Sequence, residues 1–596
     1  MLHKIQDTNY QPPRLGLLLL QFAIAFLFVV FCARYWYLQI HRGEEFAQLS
    51  LENRIKTARV DSDRGEIFDR NGVPLAENFI TFAIAVTRED TPDVYAALAQ
   101  ISEWTDTNYD ELVEKFEKNK YYTRFFDPIV IVSDLPFNMI APIQSQLHLW
   151  PGIHIVPRAR RNYPQKDTVA HIMGYVAEAT REELQRDENL SLGDIVGRQG
   201  LEYVLEHRLR GKKGLTSMEV DVFGRSLNKE IQHDAVPGEN IRLTIDIELQ
   251  KNIEFIMRNH AGSVIVMNPD TGELDALVTL PSYDNNLFVT GFSKKEWEAI
   301  SNHPRFPLQN RTIQSMFPPA SLWKLIMAGA LLEKGVNPRD TVFCSGVFKL
   351  GNRQFRCWSK FGHGNVDLKH SIMYSCDVYY YEKALDLGID YLSEFAQQCG
   401  FGRQTGIDLP HEAKGNVPTK AWKLKRFNER WQDGDTVNLS IGQGFTLVTP
   451  IQLATYISSL MNGGKLLKPQ LVLGEEPKVI GHTPISEEHC QMILDYMFAT
   501  ANEPRGTARV IKRNDIKVGG KTGTAQVVKI KMTGDRRKKN HEMDFKERDH
   551  AWFGAYADDG TRRYVIVTML EHGGGGASAA GPVTRDIINL LFPVEN

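Results

Sequence analysis

Hydrophobic and polar positions divide the chain into one long uncharged segment near its start and many short alternating segments after it. Leu15 to Ala33 is a run of nineteen residues without a charge, bounded by Arg14 and Arg34. A helix of this length rises nearly 30 Å, about the thickness of a membrane's hydrocarbon core. The run exceeds the roughly 7 to 15 apolar residues of a signal-peptide core, and no small-x-small cleavage site follows it. The sequence therefore predicts an uncleaved transmembrane anchor at 15–38, with a cleaved signal peptide as the alternative.

Short mixed elements follow the anchor up to about residue 240. Asn71-Gly72 is a tight-turn signal between short apolar runs, and it predicts a β-hairpin within 64–72. Thr180-Arg-Glu-Glu183 has the pattern of a capping box and predicts a helix over 180–187. Gly197 opens another helical pattern that ends at Arg210-Gly211, where glycine is a natural helix stop. These elements predict an α+β domain at 39–240.

The remaining residues, 241–596, show a second pattern of strands and helices. Ile241 to Asp246 is a short strand pattern, and Gly262 to Met267 and Leu274 to Leu280 are apolar runs joined by a turn. Tyr564 to Met569 is a further strand candidate. The pattern predicts an antiparallel sheet flanked by helices. Lys529 to His550 is rich in charges and predicts a solvated loop without chemistry.

Length and charge narrow the classes of function. At 596 residues the chain exceeds what a single hydrophobic core usually supports, so a multidomain protein is expected. Hydrophobic residues make up 42% and charged residues 24%, an ordinary globular balance. The formal net charge of -3 and the pI near 6.6 provide no global basic field. Nucleic acid is therefore excluded as the expected partner.

A serine and a lysine three residues apart are the first candidates for catalysis. In Ser321-Leu-Trp-Lys324 both side chains fall on one helical face, after a Pro-Pro pair that suits the start of a helix. A serine hydroxyl becomes a good nucleophile when a nearby base takes its proton, and a buried lysine can be that base. The spacing alone is a weak signal, because Ser226 and Lys229 share it.

Two further motifs select Ser321. Lys521-Thr-Gly-Thr524 is a specific string whose hydroxyls can hold a substrate carboxylate, and its glycine permits close backbone approach. An edge strand would present it well. Ser375-Cys-Asp377 stands between the two other motifs. The three groups converge only if the fold brings them together.

The three motifs, in this order, resemble those of the penicillin-binding protein and serine β-lactamase superfamily. The resemblance extends over nearly the whole chain, because several further segments look like class B transpeptidase elements: Arg64 to Gly72, Arg161-Asn-Tyr-Pro164, Ala170 to Tyr175, and Ser440-Ile-Gly-Gln-Gly444 with Thr449-Pro450. Asp377 stands where division-type relatives carry asparagine, which makes the chain look like the elongation-type proteins. Ala320 and Leu322 depart from the glycine and threonine usual beside the nucleophile.

The resemblance implies a fold, a reaction and a role for each motif residue. The fold is an N-terminal transmembrane helix, an α+β pedestal or dimerisation-type domain and an α/β transpeptidase domain. The reaction is cross-linking of peptidoglycan through a serine acyl-enzyme formed from a D-Ala-D-Ala stem peptide. Ser321 would be the nucleophile, Lys324 its base, and Ser375 with Lys521 the proton relay. Substrate binding would fall to Asp377, Thr522, Gly523 and Thr524, and the backbone N–H groups of Ser321 and Thr524 would form the oxyanion hole.

The resemblance also implies a location and partners. Residues 1–14 would be a cytoplasmic tail of a single-pass inner-membrane protein whose catalytic domain lies in the periplasm. Stem peptides, lipid-linked nascent glycan and β-lactams would be its ligands. By analogy, a RodA-type glycosyltransferase and an MreC-type scaffold would contact the pedestal. The alternatives are a division-type transpeptidase, a membrane-anchored β-lactam-binding hydrolase or sensor, and a non-catalytic scaffold that keeps the fold.

Cysteines and one histidine form a possible metal site. Cys344, Cys357, His363 and Cys376 fall within 33 residues, and three cysteines with a histidine are a closed ligand set for structural Zn²⁺. The spacings lack a close Cys-x-x-Cys pair, so a Cys344–Cys357 disulfide is the alternative. Some class B relatives carry a metal here, with ligands partly replaced by acids. The chemistry itself requires no cofactor. His370 is a reserve ligand, and Cys399 and Cys490 are expected to be buried small hydrophobes.

Overall fold

The computed structural model describes residues 14–123, 125–220, 226–528, 532–533, 536–537 and 540–594. Its helices, in chain order, are α1 Arg14–Trp36, α2 Gly43–Arg54, α3 Val94–Thr105, α4 Tyr109–Asn119, α5 Phe137–Gln146, α6 Ala170–Met173, α7 Arg181–Arg186, α8 Gly200–Val204, α9 Glu206–Leu209, α10 Ile247–Met257, α11 Asn286–Thr290, α12 Lys294–Ser301, α13 Trp323–Glu333, α14 Leu368–Met373, α15 Asp377–Leu387, α16 Ile389–Gln398, α17 Lys420–Phe427, α18 Asp433–Ser440, α19 Pro450–Met461, α20 Glu487–Asn502 and α21 Gly581–Leu591.

Its strands, in the same order, are β1 Ile55–Val60, β2 Ile67–Phe68, β3 Pro74–Thr87, β4 Pro128–Leu135, β5 Ile153–Asn162, β6 Val176–Glu178, β7 Ile195–Gly197, β8 Gly214–Val220, β9 Ser226–His233, β10 Ile241–Arg242, β11 Gly262–Met267, β12 Leu274–Leu280, β13 Val342–Cys344, β14 Val347–Leu350, β15 Arg353–Arg356, β16 Gly364–Val366, β17 Lys465–Leu467, β18 Val479–His482, β19 Lys517–Ala525, β20 Met532–Thr533, β21 Arg536–Arg537, β22 His550–Asp558 and β23 Arg563–Leu570.

One compact unit comprises Met1–Asp63 and Gly211–Pro237. It contains α1, α2 and a three-stranded sheet in the order β1-β8-β9. The helix that begins with α1 continues through a π-helical turn to His41, and this 28-residue segment is apolar and long enough to cross a membrane. The predicted anchor is therefore one long exposed helix.

The second unit comprises Arg64–Arg210 and Gly238–Asn596. Strands β10, β2, β3 and β4 form a sheet in this order, and β5 pairs with β3. Helices α3 and α4 bury apolar residues against this sheet, including Leu98, Ile101 and Phe116. The two compact units do not coincide with the predicted ranges 39–240 and 241–596, so those boundaries stay predictions.

A five-stranded antiparallel sheet forms the centre of the C-terminal region, in the order β12-β11-β23-β22-β19. Successive side chains of a strand point to opposite faces. Accordingly Val264 and Val266 pack with α10 and α21, whereas Ile265 and Met267 pack with α13 and α19. Both faces of the sheet are covered, which explains why its strands are almost continuously apolar. Strand β19 lies at the edge.

Most predicted elements are present. The hairpin at Asn71-Gly72 joins β2 to β3, and a complete capping box at Thr180 begins α7. The helix predicted after Gly197 is divided at Leu205 into α8 and α9. The strand predicted over 241–246 ends at Arg242. Leu243 forms an isolated bridge with Val472, and the Asp246 side chain accepts the hydrogen bonds that begin α10. The charged segment 529–550 falls partly outside the described residues.

A buried ionic cluster fastens the beginning of the second unit to its later elements. Glu202 is fully buried and pairs with Arg64 at 2.6 Å and with Arg161 at 2.6 Å. Burial alone would raise the pKa of Glu202, but the two guanidinium groups outweigh this effect and lower it. The carboxylate is therefore charged, and it compensates Arg161 together with Arg64, which also pairs with Glu206 at 2.8 Å.

Replacing Glu202 by alanine is expected to destabilise the protein by about 3–5 kcal/mol, because the change leaves the buried Arg161 guanidinium without its carboxylate partner. Thermal unfolding of the full-length protein in detergent measures the effect. Glu239→Ala is the control, because Glu239 is 53% exposed and pairs with Arg208 at the surface, where an ion pair contributes about 0–1 kcal/mol. Equal melting temperatures for the two variants would contradict this interpretation.

Candidate active site

Ser321 lies in the 3₁₀ turn Ala320–Leu322 that leads directly into α13. The preceding residue, Ala320, has φ 51°, a left-handed conformation that costs a non-glycine residue about 1–2 kcal/mol. The Ala320 N–H donates to the carbonyl of Gly442 at 2.9 Å, which holds the turn in place. Ser321 is partly exposed, whereas Lys324, one turn later, is fully buried. The motif therefore places a hydroxyl at a partly exposed position and an amine in the interior.

Lysine and serine side chains from three parts of the chain meet beneath Ser321. The Lys324 amine donates to the Ser375 carbonyl at 2.9 Å and to its hydroxyl at 3.4 Å. It also pairs with Asp377 at 2.7 Å. The Lys521 amine donates to the same Ser375 hydroxyl at 2.8 Å. A continuous hydrogen-bonded chain thus runs from Lys324 through Ser375 to Lys521.

The cluster contains two amines and one carboxylate, so its possible positive charges outnumber its negative charge. Burial and then the positive charge of Lys324 lower the pKa of Lys521 well below its ordinary value, although Asp377 acts in the opposite direction. Burial raises the pKa of Asp377, and Lys324 only partly offsets this effect. An amine with a strongly lowered pKa is neutral in a larger fraction of molecules, so Lys521 can exchange protons with the Ser375 hydroxyl.

Ser375 lies in the turn between α14 and α15, and its backbone is also left-handed, with φ 54°. The Trp358 indole N–H lies 3.0 Å from the Tyr374 carbonyl and 3.1 Å from that of Ser375. The backbone N–H of Trp358 donates to Asp377 Oδ2 at 2.9 Å. Trp358 thus holds both the strained Ser375 turn and the Asp377 carboxylate. Backbone strain is common at functional sites, where the surrounding structure maintains it.

Strand β19 carries the third motif along the edge of the central sheet. A Cβ built on Gly523 would lie 3.0 Å from the Trp552 Cβ and 3.2 Å from the Pro319 carbonyl, so glycine permits the close approach of this strand to the Ser321 turn. The Thr524 hydroxyl accepts a hydrogen bond from the Gly576 N–H at 3.2 Å, and the Thr522 hydroxyl lies 3.5 Å from that of Thr507. The edge position expected for the motif is confirmed.

Three cysteines and a histidine form a second cluster beside Ser375. One ligand atom from each of Cys344, Cys357, His363 and Cys376 lies within 4.8 Å of all the others. His363 Nδ1 is 3.6 Å from both the Cys344 and the Cys357 sulfur. All six cysteines are free thiols, so the alternative Cys344–Cys357 disulfide is not formed. His370 instead bonds to Asp367, and Cys399 and Cys490 are buried as expected.

The structure brings Lys324, Ser375, Asp377 and Lys521 into one network. Ser321 Oγ makes no hydrogen bond with any described residue, although its turn adjoins the network. Sequence analysis did not identify Trp358, Thr507 or the contact between Gly442 and Ala320. Gly442 belongs to a motif that the sequence did single out, but Trp358 and Thr507 carry no pattern of their own, because their roles arise only from tertiary proximity.

Comparisons with known proteins agree with this geometry. Residues 262–589 match the family model of the penicillin binding protein transpeptidase domain, and residues 59–243 match the penicillin-binding protein dimerisation domain. The chain is 34% identical over 587 residues to peptidoglycan D,D-transpeptidase MrdA of Escherichia coli K12, covering 95% of this chain and 92% of that protein. For MrdA of Haemophilus influenzae the identity is 33%, covering 93% of this chain and 88% of that protein.

Solved structures are similar over the same extent. A complex of PBP2 with MreC from Helicobacter pylori matches with a TM-score of 0.81 and 29% identity, covering 90% of this chain and 99% of that one. A peptidoglycan synthase complex that coordinates polymerisation and crosslinking matches with a TM-score of 0.70 and 28% identity, covering 98% of this chain and 99% of that one. The expected multidomain fold is thereby confirmed.

Replacing Gly442 by alanine is expected to slow labelling by a fluorescent penicillin on the order of 100-fold, because a small displacement of catalytic groups has effects of this size. Its Cβ would lie 2.3 Å from the Ala320 carbonyl and 2.6 Å from the Trp323 Cβ, so the Ser321 turn must shift. The labelling rate, normalised to folded protein, is the measurement.

Gly444→Ala is the matched control for this variant. Gly444 also has a positive φ, but a Cβ there would meet only the Asn438 Cβ at 3.4 Å. Its backbone strain is therefore similar, without contact to the Ser321 turn. If both variants label equally slowly, general strain and not displacement of that turn is the cause.

Proposed function

The chain belongs to the family of class B penicillin-binding proteins, and we propose that it is a membrane-anchored, elongation-type peptidoglycan D,D-transpeptidase with Ser321 as its nucleophile. The observation that carries the proposal is the buried Lys324–Ser375–Lys521 network beneath Ser321, beside the threonine-rich edge of β19. The MrdA relatives match over nearly the whole chain, which does not favour a division-type enzyme or a hydrolase.

Acylation requires one bond to form and one to break. Lys324 first passes a proton through the Ser375 hydroxyl to the neutral Lys521 amine. Ser321 Oγ then attacks the carbonyl carbon of the penultimate D-alanine of a stem peptide, and the Lys324 amine, now neutral, accepts the hydroxyl proton. The C–N bond to the terminal D-alanine then breaks. Its nitrogen receives a proton through the Ser375 hydroxyl, which hydrogen-bonds to both lysines. The product is an ester on Ser321 and free D-alanine.

Transfer repeats these steps in reverse. An amine from a neighbouring stem peptide attacks the ester carbonyl, and the relay of Lys324, Ser375 and Lys521 accepts the surplus proton. The bond between the carbonyl carbon and Ser321 Oγ breaks, and the serine regains its proton. The resulting amide joins the two peptides.

Backbone and strand groups bind the charged parts of the substrate. The N–H groups of Ser321 and Thr524 form the oxyanion hole, where loss of one donor typically costs about 3 kcal/mol. Thr522 and Thr524 bind the terminal carboxylate, and Gly523 lets the substrate backbone approach. Asp377 belongs to the same proposed site, and its ion pair with Lys324 supports a role in positioning the base.

We further propose that Cys344, Cys357, His363 and Cys376 hold a structural Zn²⁺. Tetrahedral zinc with bonds of about 2.3 Å to sulfur and 2.0–2.1 Å to nitrogen separates these ligands by about 3.6 Å. The two distances from His363 Nδ1 to sulfur have this value. The hydrogen bond between Cys376 and Cys357 lowers the pKa of Cys357 and raises the pKa of Cys376, so Cys357 is the thiolate of this pair and zinc binding must displace the proton of Cys376. The metal supplies no chemistry to acyl transfer, but Cys376 adjoins Ser375.

The apolar helix and the relatives support a location and partners. The anchor crosses the inner membrane once, with residues 1–14 in the cytoplasm and the catalytic domain in the periplasm, where its substrate lies. The solved PBP2–MreC complex supports an MreC-type scaffold as a partner. The peptidoglycan synthase complex, which coordinates polymerisation and crosslinking, supports a polymerising partner, for which we propose a RodA-type glycosyltransferase. Nascent glycan with its stem peptides is the substrate, and β-lactams acylate the same serine.

Ser321→Ala is expected to abolish labelling by a fluorescent penicillin and cross-linking of stem peptides, since the attacking oxygen is lost. Gel fluorescence and mass spectrometry of the labelled peptide measure the two effects. Ser226→Ala is the control: this serine also precedes a lysine by three residues, but it begins strand β9. Label on a peptide that lacks Ser321 would disprove the assignment, and rapid turnover of the adduct would indicate a hydrolase.

Cys357→Ser is expected to remove one equivalent of zinc and to lower the melting temperature, because a structural zinc site contributes folding free energy. Elemental analysis of the purified protein gives the metal content. Cys490→Ser is the control, since this buried thiol lies outside the cluster. Wild-type protein that purifies from zinc-replete medium without zinc would contradict the proposal.

A further inference from the structure

A cavity of about 280 Å³ lies in the second unit, apart from the catalytic network. Residues of the 171–200 segment form one wall, residues of the 283–314 segment form the second, and Leu409 and Pro410 complete the lining. None of the motif residues Ser321, Lys324, Ser375 or Lys521 contributes to its lining. It is slightly smaller than the roughly 300–1,000 Å³ of drug-sized ligand pockets, so it suits one ring of a longer ligand.

Aromatic rings dominate the cavity. Tyr175 stacks on Phe288 with ring centroids 3.9 Å apart, and Tyr283 meets Phe288 edge to face at 5.5 Å. Trp297 also lines the cavity and is 45% exposed, so part of its indole surface is available to a ligand. The exposed indole face of Trp297 can pack against the C–H face of a ring whose other edge is polar.

The polar groups of the lining are amides and hydroxyls. The Gln199 side chain and Gln314 Nε2 have no hydrogen-bond partner among the described residues, and Gln314 Oε1 accepts from the Asn310 N–H. The lining residues include no aspartate, glutamate, lysine or arginine. Burial lowers the pKa of the one histidine, His171, to about 4, so it is neutral at physiological pH. The cavity therefore suits an uncharged ligand that offers amide and hydroxyl groups.

The walls are fixed before any ligand arrives. Asn285, from the second wall, donates to the Gly174 carbonyl of the first at 2.8 Å. A Cβ on Gly200 would lie 2.4 Å from the Gly174 nitrogen, so these two backbones touch beneath the cavity. Such a preformed site loses little conformational entropy on binding.

From these observations we propose that the cavity binds an N-acetylated sugar ring of the glycan strand. The inference rests on the proposed function, because peptidoglycan carries its stem peptides on a backbone of such sugars. Stem peptides are anionic and do not match an uncharged lining, whereas an acetamido sugar presents a C–H face and an amide. Gln314 precedes Ser321 by seven residues, so their Cα atoms are at most about 25 Å apart. One polymer can thus reach both sites.

Saturation-transfer NMR with the full-length protein tests the proposal. The probe is the β-1,4-linked trisaccharide of N-acetylglucosamine, and the detergent must lack a sugar head group. For the wild type we expect saturation transfer to the acetyl protons. Trp297→Ala should bind the trisaccharide about ten-fold more weakly. Phe137→Ala should bind it unchanged, because Phe137 is an exposed aromatic residue outside the cavity. Gln199→Leu, which keeps the aromatic rings, should lose the preference for this trisaccharide over cellotriose.

Three results would overturn the proposal: no transfer to the trisaccharide, equal binding of cellotriose by the wild type, or wild-type binding by both cavity variants. Failure of the proposed function is distinguishable from these results. Penicillin labelling should stay at the wild-type rate in Trp297→Ala and Gln199→Leu, and Ser321→Ala should still bind the trisaccharide. A wild-type protein that binds the trisaccharide but is not labelled by penicillin would contradict the proposed catalytic function and leave the sugar-binding proposal intact.

Discussion

The hydroxyl of Ser375 lies between two buried lysine amines, and the rest of the catalytic region serves to maintain this contact. Two fully charged amines and one carboxylate would leave a net positive charge in a region removed from water, which is costly. The lowered pKa of Lys521 removes that cost by making its amine neutral more often. A neutral amine can also accept and pass on protons. The neutral form of Lys521 therefore both permits burial of the cluster and enables its proton transfer.

Three elements distant in sequence must hold this contact together. Lys324 lies in the first turn of α13, Ser375 precedes α15, and Lys521 lies in β19, 146 residues after Ser375. Trp358 secures the Ser375 turn, and its chain neighbour Cys357 accepts a hydrogen bond from the Asp377 N–H at 3.4 Å. The cysteine cluster and the lysine cluster thus share a backbone segment. The cysteine cluster takes no part in acyl transfer, but through this segment it can affect the position of the catalytic residues.

Sequence patterns were sufficient for the local elements and for the motif residues. The apolar run before Arg34, the Asn71-Gly72 hairpin, the capping box at Thr180 and the hairpin of β11 and β12 each depend on neighbours in the chain, and each is present. The edge position of β19 also followed from the chemistry expected of its threonines. By contrast, the Glu202 cluster, the support from Trp358 and the aromatic cavity join residues far apart in sequence. No local periodicity encodes such contacts, so they required the folded chain.

The left-handed backbones of Ala320 and Ser375 have a consequence for inhibitors that acylate the enzyme. Each conformation is unfavourable for its residue and is held by neighbours, which include the Gly442 carbonyl for Ala320, and the Trp358 indole and the Lys324 amine for Ser375. Altering a neighbour changes how readily the serine reacts while every group that touches the drug stays the same. Drug resistance can therefore arise at positions that no inhibitor contacts, and a search limited to the binding cleft would overlook them.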